Sequence, residues 1–152
     1  RLLVDVRAWP GSKRYPQFNK DALAEALNAY GIRYEHFPKL GGKRKSKPDS
    51  RNTAWRNASF RGYADYMETE QFQQGIQRLL DVAAEAEPTA IMCAEAVWWR
   101  CHRALISDFL KARGIEVVHI LDANKTDPHP FTSAAHLVDG ALSYASEGDR
   151  LI

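Results

Sequence analysis

Short apolar runs alternate with segments of helical spacing along this chain of 152 residues. That alternation constrains the fold more than any other feature. The runs are Leu2–Val6, Ile32–Phe37, Thr89–Ala94 and Ile115–Leu121. Each has the length of a strand and ends at Pro, Gly or charged residues. Trp9-Pro10-Gly11 stops the first run and Pro38 stops the second. Between the runs, Asn19 offers a cap for a helix with Ala22, Leu23, Ala26, Leu27 and Tyr30 on one side and Gly31 just past its end. Ser59 opens another helical stretch through Phe60, Tyr63, Tyr66 and Met67, and a longer one runs from Thr69 to Glu85. Cys101–Arg113 reads as a helix closed by Gly114, Asp122–Phe131 as a loop, and Thr132 as the cap of a last helix with Ala135, Leu137, Val138 and Leu142.

Strands that alternate with helices predict an α/β fold: a mostly parallel sheet with helices on both faces, a Rossmann-like three-layer architecture. In such a sheet, ligands bind beyond the carboxyl ends of the strands. That rule brings Asp5–Arg7, His36–Leu40, Cys93–Arg103 and Leu121–His129 to one rim. Residues 1–152 are expected to form one domain, since no repeat, low-complexity tract or boundary interrupts them.

With 45% hydrophobic and 26% charged residues the composition is that of a globular protein. A chain of this length buries roughly 70% of its unfolded surface and needs no disulfide or metal to fold. No apolar run approaches the roughly 18 residues of a membrane span, and no signal peptide is evident. A cytoplasmic protein without a membrane partner is therefore expected. Its two cysteines, Cys93 and Cys101, are expected as reduced thiols, although their spacing leaves a disulfide open.

The net charge of +2 conceals an uneven distribution. Lys39–Arg61 holds eight Lys and Arg against one acid, Asp49, while the remainder carries thirteen basic and eighteen acidic residues. Such a segment can attract an anionic small molecule or a nucleic acid; a solvated lysine-rich loop explains the same residues. Its Lys39–Asn57 portion, with Gly41-Gly42 and Pro48, reads as a long loop, and long loops in small domains tend to be functional or mobile.

Two segments carry the residue types of a site. In the first, Cys93 ends a strand just ahead of a helix N-terminus, where free N–H groups favour anions. Arg100, Arg103 and a protonated His102 would lower its pKa and create a nucleophilic thiolate. A small buried hydrophobe would look the same in sequence. Glu95 beside Trp98 and Trp99 also suits a nucleobase, with the rings stacking and the carboxylate acting as acid or base. Alternatively the tryptophans belong to the core or an interface, and Glu95 pairs with an arginine. Cys93, Cys101, His102, His119, His129 and His136 show no CxxC or HxxxH spacing, so neither metal nor cofactor is expected. The second segment, Trp55–Tyr66, interleaves aromatics with Arg56, Asn57 and Arg61, a mixture suited to phosphates and bases together. Phe60 and Tyr63 equally suit the core.

The order strand, Cys, loop, Arg, helix resembles that of rhodaneses and cysteine phosphatases, and Asp5-Val6-Arg7 also resembles rhodaneses. The details depart from them. The phosphatase arginine lies six positions after the cysteine, where this chain has Trp99, and Glu95 would repel a dianion in the loop. A broader resemblance covers nearly the whole chain. Leu3-Val4-Asp5-Val6-Arg7, Phe18-Asn19-Lys20, Leu40-Gly41-Gly42, Trp55–Met67 and Cys93-Ala94-Glu95 through Cys101-His102-Arg103 together resemble the domain-of-unknown-function 488 family. Members begin with a further strand and helix carrying a Thr-Ile-Gly-His-Ser-like stretch, so the resemblance implies that this part is missing here. It also implies a shared site for Asp5, Arg7, Gly41, Gly42, Arg56, Asn57, Arg61, Tyr63, Cys93, Glu95, Cys101, His102 and Arg103. It implies no reaction.

The expectation is a small enzyme acting on an anionic substrate such as a nucleotide or nucleic acid. Arg7, Arg56, Arg61, Arg100 and Arg103 would hold the anion. Cys93 or Glu95 would do the chemistry, with His102 as proton carrier. The alternatives are a non-catalytic nucleic-acid-binding or regulatory module, and a protein-interaction domain using the tryptophans.

Overall fold

A computed structural model describes residues 1–86 and 88–146. The chain forms two compact units, Arg1–Gly42 with Glu68–Ala94, and Lys43–Met67 with the chain from Glu95 onward.

The first unit contains a parallel sheet of three strands, β1 (Leu2–Asp5), β2 (Arg33–His36) and β3 (Thr89–Met92), in the order β2-β1-β3. Asp5 lies level with His36 on one side and Met92 on the other. The pairing runs on past the strands, with Val6 N–H donating to Met92 O (2.9 Å) and Phe37 N–H donating to Asp5 O (2.9 Å). Helices α1 (Lys20–Asn28) and α3 (Glu70–Glu85) belong to this unit. Leu2, Val4 and Val6 from the central strand are buried in its core, as are Leu23, Phe72, Ile76 and Leu79 from the helices. Each such side chain contributes about 1.5–3 kcal/mol of burial. Asn19 precedes α1 but does not cap it; its side-chain oxygen accepts the Ser12 N–H instead.

The second unit is built around α2 (Ala58–Tyr66) and α4 (Arg103–Ala112) with two antiparallel hairpins. One pairs β4 (Val118–Asp122) with β5 (Lys125–Pro128), the other β6 (His136–Val138) with β7 (Ala141–Ser143). Leu105, Ile106 and Leu110 bury one side of α4, and Tyr63 and Ala64 anchor α2.

This architecture corrects the expected Rossmann-like, mostly parallel sheet. Among the described residues the protein has four helices, a three-stranded parallel sheet and two small antiparallel sheets. Two turns cause the departure. The Asp122 side chain accepts the Asn124 N–H (2.7 Å), a local turn that sends the chain straight back along β4. The expected fourth parallel strand therefore becomes half of a hairpin, and the expected Asp122–Phe131 loop supplies β5. The expected final helix is also a hairpin. Asp139 (φ 52°) and Gly140 (φ 80°) both occupy the left-handed region, the two-residue turn that matches strand twist. No helix of the described residues is long and apolar enough to cross a membrane.

The basic segment is tied down without regular structure. Asp65 on α2 accepts hydrogen bonds from Lys47 N (2.8 Å) and Asn52 Nδ2 (2.7 Å), and from the Ser50 hydroxyl. A Cβ at Gly62 would stand 2.1 Å from the Arg44 carbonyl oxygen, so the strap lies directly on the helix backbone. Arg44 stacks 3.7 Å over the Tyr66 ring.

Candidate functional sites

The sheet unit brings Asp5 and Arg7 together at the carboxyl edge of β1. Arg7 Nε donates to both Asp5 oxygens (2.9 and 3.0 Å), Arg7 Nη2 donates to Oδ2 (2.6 Å), and the Arg7 N–H donates to Oδ1 (3.0 Å). The Tyr34 hydroxyl donates to the same carboxylate. Burial opposes ionisation of Asp5, but the hydrogen bonds from Arg7 and Tyr34 outweigh it and hold its pKa below the ordinary value. Burial and Asp5 push the Tyr34 hydroxyl far up. His36 Nε2 donates to Arg7 O (2.7 Å), which fixes the chain leaving β1. Gly41 is buried, and a Cβ there would meet Ala8 Cα at 3.0 Å. Gly42 is half-buried. The sequence-predicted Asp5, Arg7, Gly41 and Gly42 thus line one end of the sheet, with Arg7 already neutralised by its own neighbour.

Neither cysteine is a free thiol, for both are disulfide-bonded. This corrects the expectation of reduced thiols, which rested on cellular compartment rather than on the path of the chain. In this state Cys93 has no thiolate with which to attack.

The second unit holds the other predicted residues. Asn57 caps α2, its side-chain oxygen accepting from Ser59 N (2.9 Å) and Phe60 N (3.1 Å). Arg61 Nη1 donates to Trp55 O (3.4 Å), and Arg56 is exposed. Tyr63 is 1% exposed, with its ring centroid 4.9 Å from that of His102. Arg100 and Glu95 are exposed. His102 precedes α4, with Nδ1 3.6 Å from Cys101 Sγ. Arg103 opens α4. Its backbone N–H donates to Cys101 Sγ (3.4 Å), and its Nη2 donates to the Glu95 carbonyl (2.6 Å). Its Nε is buried and has no hydrogen-bond partner among the described residues. Burial lowers the Arg103 pKa, against a raising influence from Glu95.

The same unit contains a hydrogen-bonded chain that the sequence did not single out. Asp108, on α4, is fully buried. It accepts from Thr132 N (3.0 Å), Thr132 Oγ1 (2.6 Å) and the Tyr144 hydroxyl (2.8 Å). His129 Nε2 lies 2.8 Å from Asp108 Oδ1, and His129 Nδ1 lies 2.7 Å from His119 Nε2. Trp98 stacks on His119, with centroids 4.4 Å apart and planes 4° from parallel. Burial lowers the His119 pKa to about 4, helped by His129 and Arg103 and opposed by Asp127. Burial and Asp108 push the Tyr144 hydroxyl far up.

The donor inventory limits where the protons can sit. A carboxylate only accepts, so His129 Nε2 carries a hydrogen toward Asp108. With His129 neutral, its Nδ1 accepts and His119 donates from Nε2, which leaves the lone pair of His119 on Nδ1. No hydrogen bond to His119 Nδ1 is seen among the described residues. One sequence signal was available. Asp108 lies within the apolar helix run Leu105–Leu110, and His119 lies between Val118 and Ile120. Polar groups in such places need partners when buried.

The chain belongs to the family described as Domain of unknown function DUF488, whose model matches residues 1–110. Neither a curated protein nor a solved structure matches the chain.

Proposed function

We propose that this DUF488 member is a small enzyme that binds an anionic substrate, such as a nucleotide, at the N-terminal end of α4. Arg103 carries the reading. Its Nη2 is pinned to the Glu95 carbonyl while its buried Nε has no partner among the described residues. An unmade hydrogen bond on a buried charged donor is costly, and an anion supplies the missing acceptor. Glu95 and His102 flank the same end of the helix. Arg7, by contrast, is spent on Asp5 and adds little to anion binding.

The test is calorimetric titration of the full chain with inorganic phosphate and with adenosine monophosphate. Arg103→Met should abolish binding and Arg103→Lys should retain part of it. Equal affinity in wild type and Arg103→Met would refute the reading.

A nucleic-acid-binding module is the second reading, favoured by the tethering of the basic strap through Asp65. An ordered strap presents Lys43, Lys45, Lys47 and Arg51, all exposed, at little ordering cost. Single-stranded RNA or DNA should then bind with an affinity that falls steeply with salt. Binding that is absent, or indifferent to salt, rules this reading out.

A further inference from the structure

We propose that His119 is the proton acceptor of a catalytic site, with His129 taking up the proton that His119 gives up on its inner side and Asp108 as the positioning carboxylate. The substrate it fits is an anion held at Arg103 that loses a proton from a hydroxyl or from an attacking water. Only this choice of substrate class rests on the function proposed above.

The order carboxylate, imidazole, donor is the arrangement by which a buried carboxylate orients a histidine in hydrolase triads, where the donor is the nucleophile's hydroxyl. Here a second imidazole occupies the hydroxyl's place. Satisfying a buried Asp108 requires a single histidine at most, and Thr132 and Tyr144 already supply three of its hydrogen bonds. Packing against Trp98 requires only a flat apolar ring. Neither need explains a second histidine whose Nδ1 lies at the outer end of the chain. His119 retains 9% of its surface. Both histidines lie beyond residue 110, where the family match ends.

The proton step balances without another reactant. The substrate O–H bond breaks and its proton goes to His119 Nδ1. The Nε2–H proton of His119 passes to His129 Nδ1 over a 2.7 Å hydrogen bond. His119 returns to neutrality with its proton on Nδ1. His129 becomes an imidazolium whose Nε2–H faces Asp108 at 2.8 Å. The charge thus ends beside a carboxylate rather than beside Arg103.

The groups that face this pair within the unit are Arg103 and Lys111 of α4, Asp108 of the same helix, Asp127 of β5, and Tyr144. Lys111 is turned to the backbone, its Nζ donating to His129 O (2.8 Å). Arg103 and Asp127 act on His119 in opposite senses. Asp108 is the carboxylate in direct contact with the inner imidazole.

The deciding experiment is long-range nitrogen–proton NMR on the full wild-type chain with labelled histidines, assigned through the backbone so that no variant has to fold. At neutral pH both His119 and His129 should show Nε2–H tautomers, with His119 Nδ1 as a bare ring nitrogen. His119 found as the Nδ1–H tautomer would overturn the proposal. A second measurement separates relay from scaffold. The rate of His119 acylation by diethyl pyrocarbonate should fall about tenfold in Asp108→Asn, the equivalent of one unit of basicity. An unchanged rate in a folded variant would reduce His129 and Asp108 to packing and overturn the relay. Inorganic phosphate should also shift the His119 Nδ1 resonance in wild type but not in Arg103→Met. The expected tautomers without any phosphate shift would uphold the relay and refute the anion reading.

Discussion

Asp5 in the sheet unit and Asp108 in the helical unit are both fully buried carboxylates, and each is surrounded by donors. Asp5 is gripped by a guanidinium and a tyrosine hydroxyl, and Asp108 by a histidine, a threonine and a tyrosine. Arginine does not release its proton in proteins, so the Asp5 pair is electrostatically fixed. Histidine, unlike arginine, can give up and take up a proton, so the Asp108 chain can pass charge along. The same cost of burying a carboxylate is therefore met in one unit by a lock and in the other by a relay. A conspicuous charged motif such as Asp5-Val6-Arg7 need not be where the chemistry lies.

The lock at Asp5 should give the largest loss when broken. Removing one partner of a buried pair leaves the other uncompensated, at a cost of about 3–5 kcal/mol. Asp5→Ala should show that loss in urea denaturation; a loss below 1 kcal/mol would mean that Arg7 finds water or another partner. The expected effect at Gly62 is smaller. Gly62→Ala drives a methyl into the Arg44 carbonyl and should cost about 1–3 kcal/mol. It should also speed proteolysis within the Lys43–Arg51 strap. Unchanged cleavage would show that the strap does not depend on this contact. The smallest effect belongs to Asn57. Asn57→Ala removes the α2 cap and should cost about 1 kcal/mol, with anion binding at Arg103 unchanged. A specific loss of anion binding in that variant would return Asn57 to the site.

The sheet unit was legible in the sequence. Leu2–Val6, Ile32–Phe37 and Thr89–Ala94 each contain an observed strand, because an apolar run flanked by Pro and Gly has few other uses. The helices at Lys20, Ala58, Glu70 and Arg103 also start close to where periodicity and capping residues place them. The helical unit was less legible, because local turns overrode its patterns. Asp139-Gly140 carries the strongest short hairpin signal, yet the apolar spacing around it imitates a helix. Asp122 and Asn124 similarly turned an expected strand and loop into β4 and β5. The site was harder still. Arg103, Glu95 and His102 stand out because charged and aromatic residues crowd Cys93–Arg103. Asp108, His119 and His129 are separated by ten residues or more, and only folding assembles them. Their one local trace is a polar residue inside an apolar run. Redox state left no trace, since the spacing of Cys93 and Cys101 permits either form.

The contrast between lock and relay is tested most directly by denaturation from pH 7 to pH 3 in wild type, His119→Gln and Asp5→Asn. The folded His119 pKa of about 4 lies below its ordinary 6.5, so the unfolded chain takes up the proton first. Stability is then intact above pH 6.5 and is lost progressively as pH falls toward 4. Asp5 is also held below its ordinary value of 3.8, so its contribution is present above that value and is lost only at lower pH. The account predicts that His119→Gln flattens the loss between pH 6.5 and 4 while Asp5→Asn lowers stability throughout that window without changing its slope. An undiminished loss in His119→Gln would contradict it.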